Sequence, residues 1–343
     1  MAPPSRIIAL AVSLTAALTA IVGSSSASPD RPRGVLAFHA DPSGDSTLYT
    51  MNADGTRVRR VTTQIAGSPF SKWSPSGRSL AFISGSFGEG GLMLIRASGG
   101  QARIATRHTV RAFDWSPDGR HLVYAATDGF IWTTAIARGS RPKRIARGHA
   151  PMWSPNGRWL AYFRGAQGRT NIFKIALRRP RPIRLTSHRA SDHSAQWSPD
   201  GSRIAFVSER DGNSELYVMS AAGGRQQRLT NDAAHDEFFS WAPDGSRLAY
   251  VSYRDGADPH SIGIGNAEIF SIEIASRRVR NLSQNRAWDG DPAWSPDGEW
   301  IAFTRRAGYG EVALMRPDGT QQTVLAGAVR APLNDCCAVW RPS

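Results

Sequence analysis

Three clusters of acid and histidine stand at the same short distance before three tryptophans. Asp192-His193 precedes Trp197, His235-Asp236-Glu237 precedes Trp241, and Asp289-Gly290-Asp291 precedes Trp294. Histidine beside carboxylate in a partly enclosed mouth can hold a divalent cation or shift pKa values for acid–base work. His193, His235 and Asp236 are the candidate metal ligands. An Asp four or five residues before a tryptophan can also do no more than satisfy backbone N–H groups at a rim. His260 lies in the loop from Arg254 to Ala267. Its counterpart one unit earlier is roughly half as long, and an extended loop on a functional face often covers or gates a site.

The tryptophans are what must position these groups. Trp197-Ser198-Pro199-Asp200-Gly201 has near-copies starting at Trp73, Trp115, Trp153, Trp241 and Trp294, and a clipped one at Trp340. Successive steps are 42, 38, 44, 44, 53 and 46 residues, the period of a propeller blade. Pro199 presets φ in a tight turn, Asp200 can bond its own backbone, and Gly201 takes the positive-φ position. Ile204-Ala205-Phe206 then leaves as a buried strand. Each unit reads as four strands, as in Ser194–Trp197, Arg203–Ser208, Glu215–Met219 and Gln227–Thr230.

The ends complete one another. Val35–Phe38 opens as a second strand with no tryptophan strand before it, and Ala338–Pro342 supplies a tryptophan strand with nothing after it. The expectation is an all-β, seven-bladed β-propeller of four-stranded blades, closed by the C-terminal strand in the N-terminal blade. Closure removes the exposed sheet edges that two half-blades would leave. It spans residues 28–343 as one domain and is expected to be a monomer.

Antiparallel connectivity sorts the loops onto two faces. The Ser-Pro-Asp-Gly turns lie on one. The loops entering each tryptophan strand share the other with the loops between second and third strands. That second face is expected to hold seven of the eight histidines and most of the carboxylates. Much of the arginine falls on outer strands and the first face, as in Arg59-Arg60, Arg178-Arg179-Arg181 and Arg277-Arg278.

Residues 1–27 stand outside the repeats. Arg6 precedes an apolar run, Ile7–Gly23, and Ser25-Ser26-Ala27 offers small residues for cleavage. This reads as a secretory signal peptide, placing the mature chain in the periplasm or outside the cell with no membrane span. Retention of the run as an anchor is the alternative. The net charge of +14 is nearly all arginine. With export and no nucleic-acid motif, no nucleic-acid partner is expected. Cys336 and Cys337 are adjacent, so a bond between them needs unusual geometry.

Trp-Ser-Pro-Asp-Gly-x-x-Ile-Ala-Phe, followed by Leu-Tyr-Val-Met and Arg-Leu-Thr, resembles the TolB-like propeller repeat over about residues 34–343. Ser76 and Asn156 replace its Asp in two copies, and Ala242 its Ser in a third. Such propellers occur in periplasmic TolB, beside prolyl-peptidase-like domains and in oligogalacturonide lyases. Here no Gly-x-Ser-x-Gly elbow accompanies the repeats, so a prolyl-type peptidase is not expected. The first expectation is a non-enzymatic binding protein. It would engage a peptide, protein or cell-envelope component through the loop face and channel mouth, at Asp192, His193, His235, Asp236, Glu237, His260, Asp289 and Asp291. The alternative is a metal-dependent uronide lyase, with His193 or His235 as base and Arg189 or Arg286 meeting the sugar carboxylate.

Overall fold

Every blade begins where a tryptophan ends a strand. The computed structural model describes residues 31–40, 46–62, 70–85, 90–166, 168–254, 266–306, 310–325 and 336–343, and Pro32–Ser343 form one compact unit. The expected leader, His260 and most of its loop lie outside the described residues. Seven four-stranded antiparallel sheets form a ring, a seven-bladed propeller, and the described residues include no helix. Blade 5 is typical, with strands Asp192–Trp197, Arg203–Ser208, Glu215–Ser220 and Gln227–Arg228 running outward from the axis.

Closure is as the two half-blades required. Cys336–Trp340 pairs with Val35–Ala40 in register Leu36↔Trp340 and Ala37↔Val339, making the innermost strand of blade 1. All seven tryptophans are buried, at 6–8% exposure. Five donate from the indole N–H to a carbonyl of the preceding blade: Trp73 to Val339, Trp115 to Lys72, Trp197 to Met152, Trp241 to Gln196 and Trp340 to Ala293. The accepting residue is each time the one just before the neighbouring blade's tryptophan. A large ring thus fills the inter-blade space while its polar edge is satisfied, which suits tryptophan above other aromatics.

The tight turns make a second ring. Ser198 accepts and donates within its turn, and its hydroxyl bonds Asp200 at 2.5 Å. That bond, with two from Ser202, holds the Asp200 carboxyl down at about 2. Gly201, at φ 71°, faces Pro155 of the preceding blade's turn, so a side chain there would meet both strain and a neighbour.

Candidate functional site

The innermost strands show one alternation in all seven blades. The tryptophan and the residue two before it are buried, whereas the residues one and three before it are open to the axis. Lys72, Asp114, Met152, Gln196, Ser240, Ala293 and Val339 hold the position one before. Lys72 and Asp114 meet there across two blades at 2.9 Å, and Asp114 also accepts from the Trp153 N–H. The position three before is held by Phe70, Ala112, Ala150, Ser194, Phe238, Asp291 and Cys337.

That second ring carries backbone strain. Ala150, Ser194, Phe238, Asp291 and Cys337 all adopt positive φ, between 42° and 59°. Register shifts mark a bulge at the same place, as between His193 and Gln196 or Glu237 and Ser240. A left-handed residue other than glycine costs about 1–2 kcal/mol, and such strain gathers at functional sites. A bulge re-aims the side chain it carries. Here it leaves Phe238 half-exposed at 51%, and Phe70 at the same ring position is 53% exposed.

The acid–histidine clusters take a different arrangement from loops converging on the mouth. The strands begin early enough to include Asp192, Asp236 and Asp289, because the ladder resumes beyond the bulge, as Asp192↔Ser208 shows. All three carboxylates are fully buried. Each meets an arginine from just beyond its blade's second strand or at its end: Arg210 at 2.9 Å, Arg254 at 3.4 Å and Arg305 at 2.9 Å. They act within the blade, and as arginine partners they do more than cap backbone N–H groups.

The histidines are held separately. His193 bonds Ser194 through Nδ1 and approaches Glu209 at 3.6 Å. His235 accepts from the Ser214 N–H at 3.3 Å. Among the described residues no three His, Cys, Asp or Glu side chains are grouped to hold a metal ion, so His193, His235 and Asp236 are not brought together as a ligand set. Glu237 stays half-buried at the mouth, where its charge and that of Asp291 add to burial in raising the Tyr253 pKa. Asp291 accepts from the Thr304 hydroxyl at 3.2 Å and the Cys337 thiol at 3.6 Å. Burial nevertheless holds its carboxyl above the ordinary range. Sequence reading missed Arg210 and Arg254, although each stands 18 residues after its Asp, a spacing repeated in two blades.

Residues 131–260 match the TolB beta propeller domain, and residues 101–132 match the WD domain, G-beta repeat. Residues 131–260 thus carry the TolB-type propeller repeat. No curated protein matches it significantly. Among solved structures, a putative TolB from Agrobacterium tumefaciens is 22% identical over 66% of this chain and 84% of its own, with a TM-score of 0.53. A puromycin-hydrolyzing peptidase from Mycobacterium tuberculosis is 14% identical over 88% of this chain and 55% of its own, with a TM-score of 0.67. An oligogalacturonate lyase in complex with manganese is 14% identical over 85% of each chain, with a TM-score of 0.60. Likeness at these identities shows the fold alone.

Two buried groups of this propeller titrate in opposite senses. Burial pushes the Asp236 carboxyl from 3.8 up to about 7, with the Ser252 and Arg254 contacts opposing and Asp232 and Glu215 adding. Its protonated form therefore favours the folded state. That stability is fully present below about 3.8 and is lost as pH rises through about 7, at up to about 1.4 kcal/mol per pH unit. Burial holds His39 down at about 4, so its contribution is present above 6.5 and is lost as pH falls toward 4. Asp236→Asn keeps the shape of the protonated acid. Urea unfolding across pH 4–8 should show the native protein losing stability relative to this variant as pH rises. Parallel curves would assign no titration to Asp236.

Proposed function

We propose that this is an exported binding protein that holds a segment of peptide or protein at the axial mouth. The observation that carries the reading is the ring three residues before each tryptophan, strained in five blades and presenting Phe70, Ser194, Phe238 and Asp291. Half-exposed phenylalanines offer apolar anchors, and nearby Glu237, Asp291 and His193 offer polar partners. The carboxylates engaged with Arg210, Arg254 and Arg305 favour binding over the uronide-lyase alternative, whose ligand set would draw on Asp236. Export rests on the leader-like residues 1–27 and on the TolB-type repeat. Among the described residues no helix is long and apolar enough to cross a membrane.

The test is selection from a displayed random-peptide library, followed by affinity measurement on single variants. Phe238→Ala and Phe70→Ala should each weaken a selected peptide about tenfold, the loss of a modest anchor, with little change in thermal midpoint. Peptides that bind both variants as tightly as the native protein would place recognition elsewhere.

A further inference from the structure

The surplus charge is confined to one sector. Residues 129–191 contain 14 of the 42 lysines and arginines and none of the 28 carboxylates. The other 28 basic residues are matched by all 28 acids, so this run holds the whole net charge of +14. It comprises the outer half of blade 3, with strands Phe130–Ala135 and Lys143–Arg147, and all of blade 4. The blade 4 strands are His149–Trp153, Trp159–Ala166, Arg169–Ala176 and Arg179–Arg184.

Elsewhere six arginines are held in ion pairs. Arg210, Arg228, Arg254, Arg278, Arg305 and Arg316 all meet carboxylates. Among the described residues no ion pair involves a basic residue between Gly129 and Ser191. Twelve of the 14 are exposed. Lys174 is half-buried and donates to the Ala221 carbonyl. The outermost strands of the two blades lie against each other, so the charge is continuous along the rim. Two cavities open onto it without a carboxylate in their walls. One of about 650 Å³ is lined by Arg103, Arg107 and Arg138, and one of about 690 Å³ by Arg158 and Arg178. Holding so many like charges together disfavours the compact state unless an anion offsets them.

We propose that the outer rim of blades 3 and 4 is a docking surface for a linear polyanion with a phosphate-type oxyanion on each repeat. Guanidinium groups, which make up 12 of the 14 charges, meet such oxyanions through paired N–H donors. The shape of the band selects a flexible chain over a membrane. Arg158 and Arg178 stand at the tight-turn face of blade 4, and Arg164 and Arg169 stand at the opposite face. No single plane reaches both, whereas a polymer can follow the edge between them. Recognition is of charge and spacing, since three rings of the band are already covered by its own cations. Arg144 and Arg147 cover Phe130, Arg164 covers Phe173, and Lys174 covers Trp159, all within 5.0 Å of the ring centre.

The experiment titrates the protein with long-chain inorganic polyphosphate, triphosphate, anionic phospholipid vesicles and a single-stranded oligonucleotide. Long polyphosphate should bind most tightly, and its affinity should fall at least about tenfold between 50 and 200 mM salt. A variant with Lys143→Glu, Arg144→Glu, Arg181→Glu and Arg184→Glu should lose at least about tenfold. A control with Arg33→Glu, Arg57→Glu, Arg225→Glu and Arg277→Glu makes the same change in net charge and should lose about threefold or less. Should reversal disturb folding, glutamine at the same four rim positions and at the same four control positions makes the same comparison. Equal losses in rim and control variants would overturn the proposal. So would triphosphate binding as tightly as the long chain, or vesicles or oligonucleotide binding more tightly than polyphosphate.

Discussion

A chain ending before Cys336 is expected to lose the closed ring. Cys336–Trp340 is the innermost strand of blade 1, so its removal leaves Val35–Ala40 with one unpaired edge facing the axis. Trp340 packs with Leu36, Phe38, Tyr49, Trp300 and Leu314, a cluster that joins blade 1 to blade 7. Its indole N–H bonds the Ala293 carbonyl at 2.9 Å, and the Val339 carbonyl accepts from Trp73 of blade 2 at 3.1 Å. One strand thus links three blades. The single change Trp340→Ala should cost about 3–5 kcal/mol for a buried large-to-small replacement, and deletion of the strand should cost more. The measurement is thermal unfolding with light scattering, because an open strand edge templates aggregation. A synthetic peptide covering residues 334–343, added to the truncated chain, should restore part of the midpoint. A truncated chain that melts where the full chain melts would mean the other six blades hold the ring without it.

The fold was legible because each tryptophan repeat records the same packing requirement, a buried indole wedged between blades. In five blades the indole also reaches one fixed carbonyl of the previous blade, and the tight-turn glycine stacks on the previous proline, as Gly201 does on Pro155. The half-blades at the two ends likewise left one solution. The site was less legible, and Asp192 and Phe238 show why. The sequence places Asp192 five residues before Trp197, but its partner is Arg210, reached only because the ladder re-registers past Ser194. Nothing in the residue types announces that bulge. Ser194 and Phe238 occupy a left-handed position that sequence rules reserve mainly for glycine, asparagine and aspartate. Beside the two faces expected from loop counting, charge also divides between blades. Residues 129–191 carry arginine without acids, whereas in blades 5 to 7 Arg210, Arg254 and Arg305 meet buried acids.

Those buried pairs yield the second large effect, at Asp289. Its carboxylate is fully buried and takes two bonds from Arg305, at 2.9 and 3.0 Å, and one from the Asn285 amide. Arg305 passes the connection on to Gln322 at 2.7 Å, whose amide donates to the Leu282 carbonyl of blade 6. Blade 5 repeats the relay through Asp192, Arg210, Gln226 and the Leu185 carbonyl of blade 4. A pair of this kind is costly to break because the surviving charge stays buried. Asp289→Ala is therefore expected to lose about 3–5 kcal/mol, a fall in midpoint of roughly 10 °C for a chain of this size. Replacing both partners, as in Asp289→Ala with Arg305→Met, should recover much of that loss, since no stranded guanidinium remains. Denaturation of the single and double variants supplies the comparison. If Asp289→Ala instead kept the native midpoint and lost only peptide binding, the carboxylate would belong to the ligand and the relay would carry little stability.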